Sequence, residues 1–389
     1  DAGVVEVPML SIGGGFDHFP DSVLRAFEDL QSASAPAVRD SHRLLFGPWT
    51  HGAVGRAEQG ALSYPNAEAV DEDTTLRFWD FHLRGLDNGW EDAPVASFYQ
   101  PGDDTWVSSA SWAGRERASS VYHLHPGGGL AREAPLPGSV PAEFTYDPAD
   151  PTPALGGSRF DPFDPDVLTG PQDLAPVVET RSDVLVYSTP VLDKPLRLNG
   201  PVTAELYISS DRPDTDFCVR LTDVHPDGRS LIMTQGIRRA RFRESESTET
   251  LMTPGQVYLV QVDLQELALT IQPGHQLRIL VCSADYPHFD RNPNSGGALY
   301  QPGPLYPARN RVWQDPGHPS RLVLSVPAPG DVDYDGRISA ADLTWLTAFM
   351  AENAPTLPAG GGGDMDGCGR VGPVDLVLLM RALVSLEFE

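Results

Sequence analysis

Apolar residues over positions 1–92 alternate between short continuous runs and runs at helical spacing. Residues 5–12 form a mostly apolar run that ends at three glycines, and residues 43–46 form a second run. Both are typical of buried parallel strands. Apolar residues at helical spacing follow Pro20 and recur over residues 75–86, which predicts two amphipathic helices. The region therefore reads as the strand, helix, strand, helix end of a doubly wound α/β sheet.

The pattern changes over residues 93–327, where short strand-like runs recur between turn clusters. His225-Pro226-Asp227-Gly228 is a strong turn sequence between two of these runs. No long helical pattern interrupts them, so we predict a β-sandwich of jelly-roll type. The proline-rich residues 133–176 are predicted to be a long connection across its surface.

The linker-like sequence Pro327-Ala328-Pro329-Gly330 marks the start of a third unit, which covers residues 328–389 including the linker. This unit contains an internal repeat, since residues 330–338 and 363–371 share a glycine- and aspartate-rich pattern. Each copy is followed by a helix-like run. The predicted fold class is thus α/β plus all-β, with a small α-helical unit at the end.

The charge balance and the length of the apolar runs exclude some classes of binding partner. Lys plus Arg number 28 and Asp plus Glu number 54, which gives a formal charge of −26. A surface of this sign repels nucleic acid and anionic membranes. No apolar stretch reaches the roughly 18 residues needed to cross a bilayer. We therefore expect neither nucleic-acid binding nor membrane insertion.

Three cysteines are too few for a disulfide framework. Cys218 and Cys282 both lie in strand-like runs and could pair with each other. Free buried thiols are the favoured interpretation.

Asp17 and His51 carry the candidate catalytic chemistry. Each lies in a glycine-containing loop directly after a predicted strand, as an acid and a base do in an α/β-hydrolase. In that fold the nucleophilic serine precedes both, yet Gly-x-Ser-x-Gly occurs nowhere in the 389 residues. We therefore expect the chain to be the carboxyl-terminal portion of a larger enzyme, inactive alone. In the competing interpretation, Asp17 caps the following helix and His51 is an ordinary loop histidine.

The first repeat in the third unit closely matches a calcium-binding loop. Positions 1, 3, 5, 7 and 12 would supply the ligands, and Gly336 would make the sharp turn at position 6. A hard cation requires oxygen ligands on alternate residues of a tight loop, which this spacing provides. The predicted ligands are Asp331, Asp333, Asp335, Arg337 through its carbonyl, and Asp342. A plain acidic turn is the alternative.

The second loop is a weaker match. Asp364, Asp366 and Asp375 keep positions 1, 3 and 12, but Cys368 replaces an oxygen ligand at position 5. Thiolate is a poor ligand for calcium. We expect lower affinity here than in the first loop.

The paired repeats, each a loop with one following helix, resemble a type I dockerin over roughly residues 330–386. This resemblance implies structural calcium, a cohesin-bearing scaffold as partner, and an extracellular or cell-surface location. Positions 10 and 11 of the loops are Ala340-Ala341 and Pro373-Val374, where dockerins usually carry small polar residues.

The remainder of the chain resembles the CocE/NonD hydrolases, which belong with the X-Pro dipeptidyl-peptidases of the S15 serine-peptidase class. The resemblance rests on Gly-Gly-x-Phe-Asp-x-Phe around Asp17, Gly-Pro-Trp-Thr-His-Gly around His51, and several motifs in order over residues 183–294. It implies that Asp17 is the triad acid and His51 the general base. A secreted serine hydrolase that cleaves ester, amide or peptide substrates is the resulting hypothesis. The alternative is a non-catalytic binding and anchoring module.

Structural roles are expected for several residues beside Asp17 and His51 and in the β-region. We expect His18 to orient Asp17, and Phe16 and Trp49 to support the loops. Asp214 and Asp216 could bind a metal, but turn and backbone hydrogen bonds are favoured. Residues 289–294 are expected to be a loop packed on the sandwich rather than part of a substrate cleft.

Overall fold

The secondary structure follows from a computed structural model that describes residues 2–112, 117–161, 163–164, 166–301, 303–332, 337–350, 362–363, 365 and 371–386. Within these residues the strands are β1 Leu10–Gly14, β2 Arg43–Gly47, β3 Glu58–Gln59, β4 Leu62–Ser63, β5 Ala96–Gln100, β6 Thr105–Ser109, β7 Arg117–His125, β8 Gly129–Ala131, β9 Ala142–Tyr146, β10 Leu185–Ser188, β11 Leu196–Ser210, β12 Asp216–Val224, β13 Ser230–Arg239, β14 Tyr258–Ile271, β15 Gln276–Cys282, β16 Ala308–Asp315, β17 His318–Pro319 and β18 Arg321–Pro327. The α-helices are α1 Pro20–Ala33, α2 Val70–Arg84, α3 Ala340–Met350 and α4 Pro373–Leu386. The predicted combination of much sheet with some helix is confirmed.

A four-stranded sheet in the order β1-β2-β5-β6 carries the first part of the chain. β1, β2 and β5 run parallel, and β6 is antiparallel to β5. All five residues of β2 are buried, which explains why its sequence is continuously apolar rather than alternating. β5 and β6 lie beyond residue 92, so this sheet continues past the predicted domain boundary.

α1 and α2 flank this sheet region with different degrees of burial. α1 begins at Pro20 and buries Leu24, Phe27 and Leu30 along one face, as its spacing predicts. α2 begins five residues earlier than predicted and ends at Arg84. The next residue, Gly85, caps the helix in a left-handed conformation. Among the apolar residues of α2, Phe78 is buried, whereas Leu76, Trp79 and Leu83 are exposed.

A twelve-stranded sheet occupies most of the remaining chain. Its main order is β13-β12-β15-β10-β8-β7-β18-β11-β16-β17, with β14 paired to β11 and β9 paired to β16. Its pairs are antiparallel except for a parallel contact between β10 and β8. Apolar residues from β7, β11, β12, β14, β15 and β18 form its main core. β9 lies inside the proline-rich region that we predicted to be a connection, and it is a regular strand there.

α3 and α4 pack against each other around a small core of Val332, Leu346 and Leu379. The backbone N–H of Gly330 donates a hydrogen bond to the carbonyl of Gly362 at 2.9 Å, which joins the starts of the two repeats. None of the helices in the described part of the chain combines the length and apolar character needed to cross a bilayer.

Candidate active site

Asp17 lies in the tight loop that connects β1 to α1. Its backbone N–H donates to the carbonyl of Gly14 at 3.1 Å, which closes a turn at the carboxyl end of the strand. The backbone of Gly15 and Phe16 then hydrogen-bonds to the carbonyls of Gly47 and Trp49, beyond the end of β2. Because adjacent parallel strands end at the same edge of the sheet, these bonds bring the two loops together.

His51 opens a short 3₁₀-helix after β2, and the side chain of Gln59 fixes that loop. Gln59 is fully buried. Its carbonyl oxygen accepts the backbone N–H of Thr50 at 2.8 Å, and its amide donates to the carbonyls of Ala53 and Arg56. One buried amide thus satisfies backbone groups on both sides of His51. No motif in the sequence indicated this role for Gln59.

The structure brings Asp17 and His51 together across the two loops. Nδ1 of His51 lies 3.1 Å from Oδ2 and 3.2 Å from Oδ1 of the Asp17 carboxylate. The Asp17 side chain is 13% exposed and the His51 side chain 41% exposed. A carboxylate that accepts Nδ1–H leaves the lone pair of Nε2 free to accept a proton. The pair therefore has the geometry of an acid that orients a general base.

His18 shares the same carboxylate. Its Nδ1 lies 3.1 Å from Oδ1 of Asp17, and its ring centroid lies 4.5 Å from that of His51. Burial lowers the pKa of His18 below its usual 6.5, while the Asp17 carboxylate works in the opposite direction and His51 adds to the lowering. A neutral His18 avoids placing a second positive charge beside His51 when that imidazole accepts a proton.

Two aromatic side chains border the exposed imidazole. Phe160 lies 4.6 Å from the His51 ring and stacks in parallel on His18 at 5.5 Å, and Phe19 approaches His51 edge-on at 5.8 Å. Phe160 comes from the proline-rich connection, so that segment reaches the candidate site. Phe16 and Trp49 are instead buried in the core, which agrees with the predicted supporting role.

β14 of the large sheet also contacts the Asp17 region. Gln265 donates to the carbonyl of Asp17 at 3.4 Å, and the backbone N–H of Glu266 donates to Asp21 at 2.9 Å. Residues separated by about 250 positions are thus in contact at the candidate site, and the single sequence gave no indication of this.

A buried ion pair lies next to this region, again without a sequence signal. Arg220 and Asp285 are 0% and 1% exposed and are joined at 2.7 Å. Asp285 also contacts Nδ1 of His288 at 3.1 Å, and the Gln235 amide donates to Asp285 at 3.1 Å and lies 2.7 Å from the same His288 nitrogen. Although burial opposes ionisation of Asp285, Arg220 and His288 hold its pKa below the usual value. His288 is near enough to His18 to contribute to the lowering of that residue's pKa.

Asp214 accepts the backbone N–H of Arg241 at 3.0 Å, in line with the backbone hydrogen bonds that we favoured, and both Asp214 and Asp216 also form buried ion pairs. Asp214 pairs with Arg241 at 2.8 Å and Asp216 with Arg239 at 2.9 Å, while Asn292 donates to both carboxylates. Arginine and amide groups thus occupy the carboxylate oxygens that a metal would use. The ion pairs and Asn292 anchor the 289–294 loop.

The same loop has a second face toward solvent. Phe289 and Asp290 line a cleft of about 490 Å³ together with His288, Arg239 and Tyr300. The expectation of a loop that only packs on the sheet was therefore incomplete. Its buried half is structural, and its outer half borders a cleft.

The predicted calcium ligands are partly described. Asp331, Asp342 and Asp375 are nearly fully buried. The Asp342 carboxylate accepts the backbone N–H groups of Val332 and Ser339. The Asp375 carboxylate accepts those of Met365 and Gly372 in the same way, so each carboxylate hydrogen-bonds to the backbone of its own loop. Arg337, at position 7 of the first loop, is exposed. Asp333, Asp335, Asp364 and Asp366 lie outside the described residues.

Cys218 and Cys282 are directly opposite each other in the β12–β15 pair. Both are buried and both are free, as favoured from the sequence. Cys368 lies outside the described residues.

Comparison with known proteins supports the sequence resemblance. The model of the X-Pro dipeptidyl-peptidase C-terminal non-catalytic domain matches residues 88–323. Cocaine esterase of Rhodococcus sp. (strain MB1 Bresler) is 35% identical over 83% of this chain and 57% of its own length. An α-amino acid ester hydrolase structure is 28% identical, with a TM-score of 0.71 over 82% of this chain and 55% of that one.

A CocE/NonD family hydrolase from Staphylococcus aureus has the same fold at 13% identity, with a TM-score of 0.57 over 82% of this chain and 54% of that one. The present chain thus spans little more than half the length of each relative. The family match defines the class of domain that most of the chain forms. Over residues 88–323 the chain belongs to the family of the X-Pro dipeptidyl-peptidase C-terminal non-catalytic domain.

Proposed function

We propose that Asp17 and His51 are the acid and the general base of a serine hydrolase that cleaves ester or amide bonds. The observation that carries the proposal is the 3.1 Å contact from His51 Nδ1 to the Asp17 carboxylate, with an imidazole that remains 41% exposed. Two of the relatives that match this chain are an esterase and an ester hydrolase by name, which supports the reaction class.

In the proposed reaction, Nε2 of His51 takes the hydroxyl proton of a serine as the serine oxygen attacks the carbonyl carbon. Asp17 stabilises the resulting imidazolium through Nδ1–H. His51 then gives the proton to the leaving alcohol or amine, and an acyl-enzyme forms. The same imidazole next deprotonates a water molecule, which releases the acid and frees the serine.

We propose that the nucleophilic serine belongs to a part of the parent protein not included in these 389 residues. The sequence has no Gly-x-Ser-x-Gly, and the chain spans 57% of the cocaine esterase it matches. Phe160 and Phe19, which border His51, would form an apolar wall for the acyl or leaving group of the substrate.

Labelling with a serine-directed fluorophosphonate tests this assignment. The parent protein should label and should hydrolyse p-nitrophenyl acetate, while His51→Ala should abolish turnover. Asp17→Asn should lower kcat by about 10⁴-fold, the loss known for the equivalent change in chymotrypsin-like proteases. His318→Ala, at a partly exposed position of β17 in the large sheet, is the matched control and should retain activity.

Two outcomes would contradict the proposal. Labelling of the present chain by itself would mean that the nucleophile lies within it. A parent protein that neither labels nor hydrolyses esters would favour the alternative of a non-catalytic binding and anchoring module.

We further propose that residues 93–327 form a jelly roll and that residues 328–389 form a dockerin-like unit that binds calcium. The buried carboxylates of Asp331, Asp342 and Asp375 support the calcium assignment, because hard cations prefer such oxygens. The hydrogen bond from Gly330 to Gly362 supports a paired arrangement of the two loops. Docking to a cohesin-bearing scaffold, outside the cell or at its surface, follows from this proposal.

Calorimetry with and without calcium tests the dockerin proposal. Calcium should raise the unfolding temperature of the carboxyl-terminal unit, because a ligand that binds only the folded state stabilises it. Asp331→Ala should weaken this response, whereas Asp87→Ala, at an exposed position near the end of α2, should not. Identical transitions in calcium and in chelator would refute calcium binding, and failure to bind a type I cohesin in calcium would refute the docking role.

A further inference from the structure

A second cluster of carboxylate and imidazole groups lies outside the candidate active site. It consists of Asp223, His225 and His275, whose potential ligand atoms all lie within 4.8 Å of one another. In the sequence, His225 stands out only as part of a turn, and no local pattern singles out His275.

Two chain reversals at one end of the large sheet bring these residues together. Asp223 is the penultimate residue of β12, and His225 begins the turn to β13. His275 lies just before β15, in the turn that follows β14. In the β12–β15 pair Asp223 lies opposite Leu277, so the two turns lie next to each other at the same end of the large sheet.

Backbone hydrogen bonds fix both turns. His225 donates its N–H to Arg229 at 2.8 Å and accepts the N–H of Gly228 at 2.9 Å. The carbonyl of His275 accepts the N–H of Leu192 at 2.8 Å. The two imidazoles are therefore carried by ordered backbone rather than by long free loops.

The side chains converge on one carboxylate. Nδ1 of His275 lies 2.8 Å from Oδ1 of Asp223, and Nε2 of His225 lies 3.5 Å from Oδ2. The two rings are 4.4 Å apart. Tetrahedral zinc with bonds of about 2.0–2.2 Å separates its donor atoms by roughly 3.3–3.6 Å, which lies within the spread of this cluster.

The arginine of the same turn does not compete with the two imidazoles for the Asp223 carboxylate. The nearest arginine of the turn, Arg229, is paired with Asp227 at 2.8 Å rather than with Asp223.

We propose that Asp223, His225 and His275 form a binding site for a divalent transition metal, with Zn²⁺ as the best match. Two imidazoles and one carboxylate are ligands that zinc accepts readily, whereas calcium and magnesium prefer oxygen alone. Side-chain exposures of 10–19% leave a fourth position open to water. The bound metal would link the turn between β12 and β13 to the turn between β14 and β15.

Zinc titration of the full 389-residue chain tests the site, with a chromophoric chelator as competitor and saturating calcium to occupy the acidic loops. The double variant His225→Asn/His275→Asn should lose one equivalent of bound zinc and the zinc-dependent rise in Tm. The matched control is His18→Asn/His51→Asn, which removes the other pair of imidazoles near a carboxylate and should keep that equivalent.

Unchanged zinc stoichiometry in the His225/His275 variant would overturn the proposal. If that variant does not fold, X-ray absorption of the zinc-loaded His18→Asn/His51→Asn protein decides instead. A spectrum with two imidazoles and a carboxylate oxygen is expected, and a spectrum with fewer than two imidazoles, or no bound zinc, would refute the site.

Discussion

The carbonyl oxygen of Trp49 occupies the space beside Gly14 where a side chain would begin. It accepts the N–H of Phe16 at 3.1 Å, which joins the loop that carries Asp17 to the loop that carries His51. A Cβ atom at position 14 would overlap that carbonyl oxygen. The absence of a side chain at Gly14 therefore allows the acid and base loops to approach each other.

Gly14→Ala should destabilise the protein by about 1–3 kcal/mol, because the overlap is with backbone that cannot rotate away. A fall in Tm on heating, with parallel loss of esterase activity in the parent protein, is the expected result. Gly15→Ala is the matched control, since its Cβ would meet its nearest neighbour at an ordinary 3.6 Å. Equal Tm values for the two variants would contradict the explanation.

Gln59→Met should also destabilise the His51 loop. The substitution conserves volume but leaves the buried N–H of Thr50 without its acceptor, which costs about 1–3 kcal/mol. Hydrogen exchange at Thr50 should accelerate accordingly. Gln261→Met, at an exposed position of β14, should leave both stability and exchange unchanged, and equal exchange rates in the two variants would exclude the proposed anchoring.

Local patterns in the sequence were sufficient to predict α1 and β2, because each buries its own apolar face. The run over residues 5–12 predicted β1 only in part, since the strand is Leu10–Gly14 and Val7 and Met9 are exposed. Local patterns also indicated Asp17 and His51, since both follow strand ends. The structure adds the contact between them, and the catalytic roles remain a proposal.

Contacts distant in sequence could not be predicted in the same way. Phe160 and Gln265 reach the Asp17 region from other parts of the chain, and nothing in their local sequence indicates a partner. The same holds for Asp214 and Asp216, whose arginine partners follow on the next strand and the turn after it. Pairing between charged side chains depends on the strand register, which the apolar pattern alone does not fix.

Arg220→Met should be among the most destabilising single changes. Arg220 is 0% exposed and neutralises an Asp285 that is 1% exposed, so its removal leaves a buried uncompensated charge. A loss of about 3–5 kcal/mol is expected. Arg229→Met breaks an ion pair whose side chains are 43% and 55% exposed, and should change the stability little because solvent screens the pair.

Urea unfolding at pH 7 measures the free energy of unfolding of both variants. If Arg220→Met costs no more than Arg229→Met, Asp285 must take up a proton or find another partner when the guanidinium is lost. A pH titration of the Arg220→Met protein separates these cases, since only proton uptake makes its stability depend on pH above the usual carboxyl range.

His42 should make folding stability sensitive to mild acid. Its Nδ1 accepts the N–H of Met9 at 3.1 Å, so Nε2 carries the hydrogen and donates it to Ser34 at 2.9 Å. Burial, assisted by Arg43, lowers the pKa of His42 below 6.5. Below pH 6.5 the unfolded chain therefore binds a proton that the folded chain does not, and stability falls as the pH falls toward the folded-state pKa.

His42→Gln should reduce this loss of stability between pH 7 and pH 5. Each pH unit in that window contributes up to about 1.4 kcal/mol from one histidine. Urea midpoints at pH 7, 6 and 5 measure the slope, and the difference between variant and parent isolates His42 from the other buried histidines. His318→Gln, at a partly exposed position of β17, is the matched control and should keep the parental slope. If His42→Gln keeps that slope as well, His42 binds protons equally in the folded and unfolded chain, and the assignment of Nδ1 as an acceptor from Met9 is wrong.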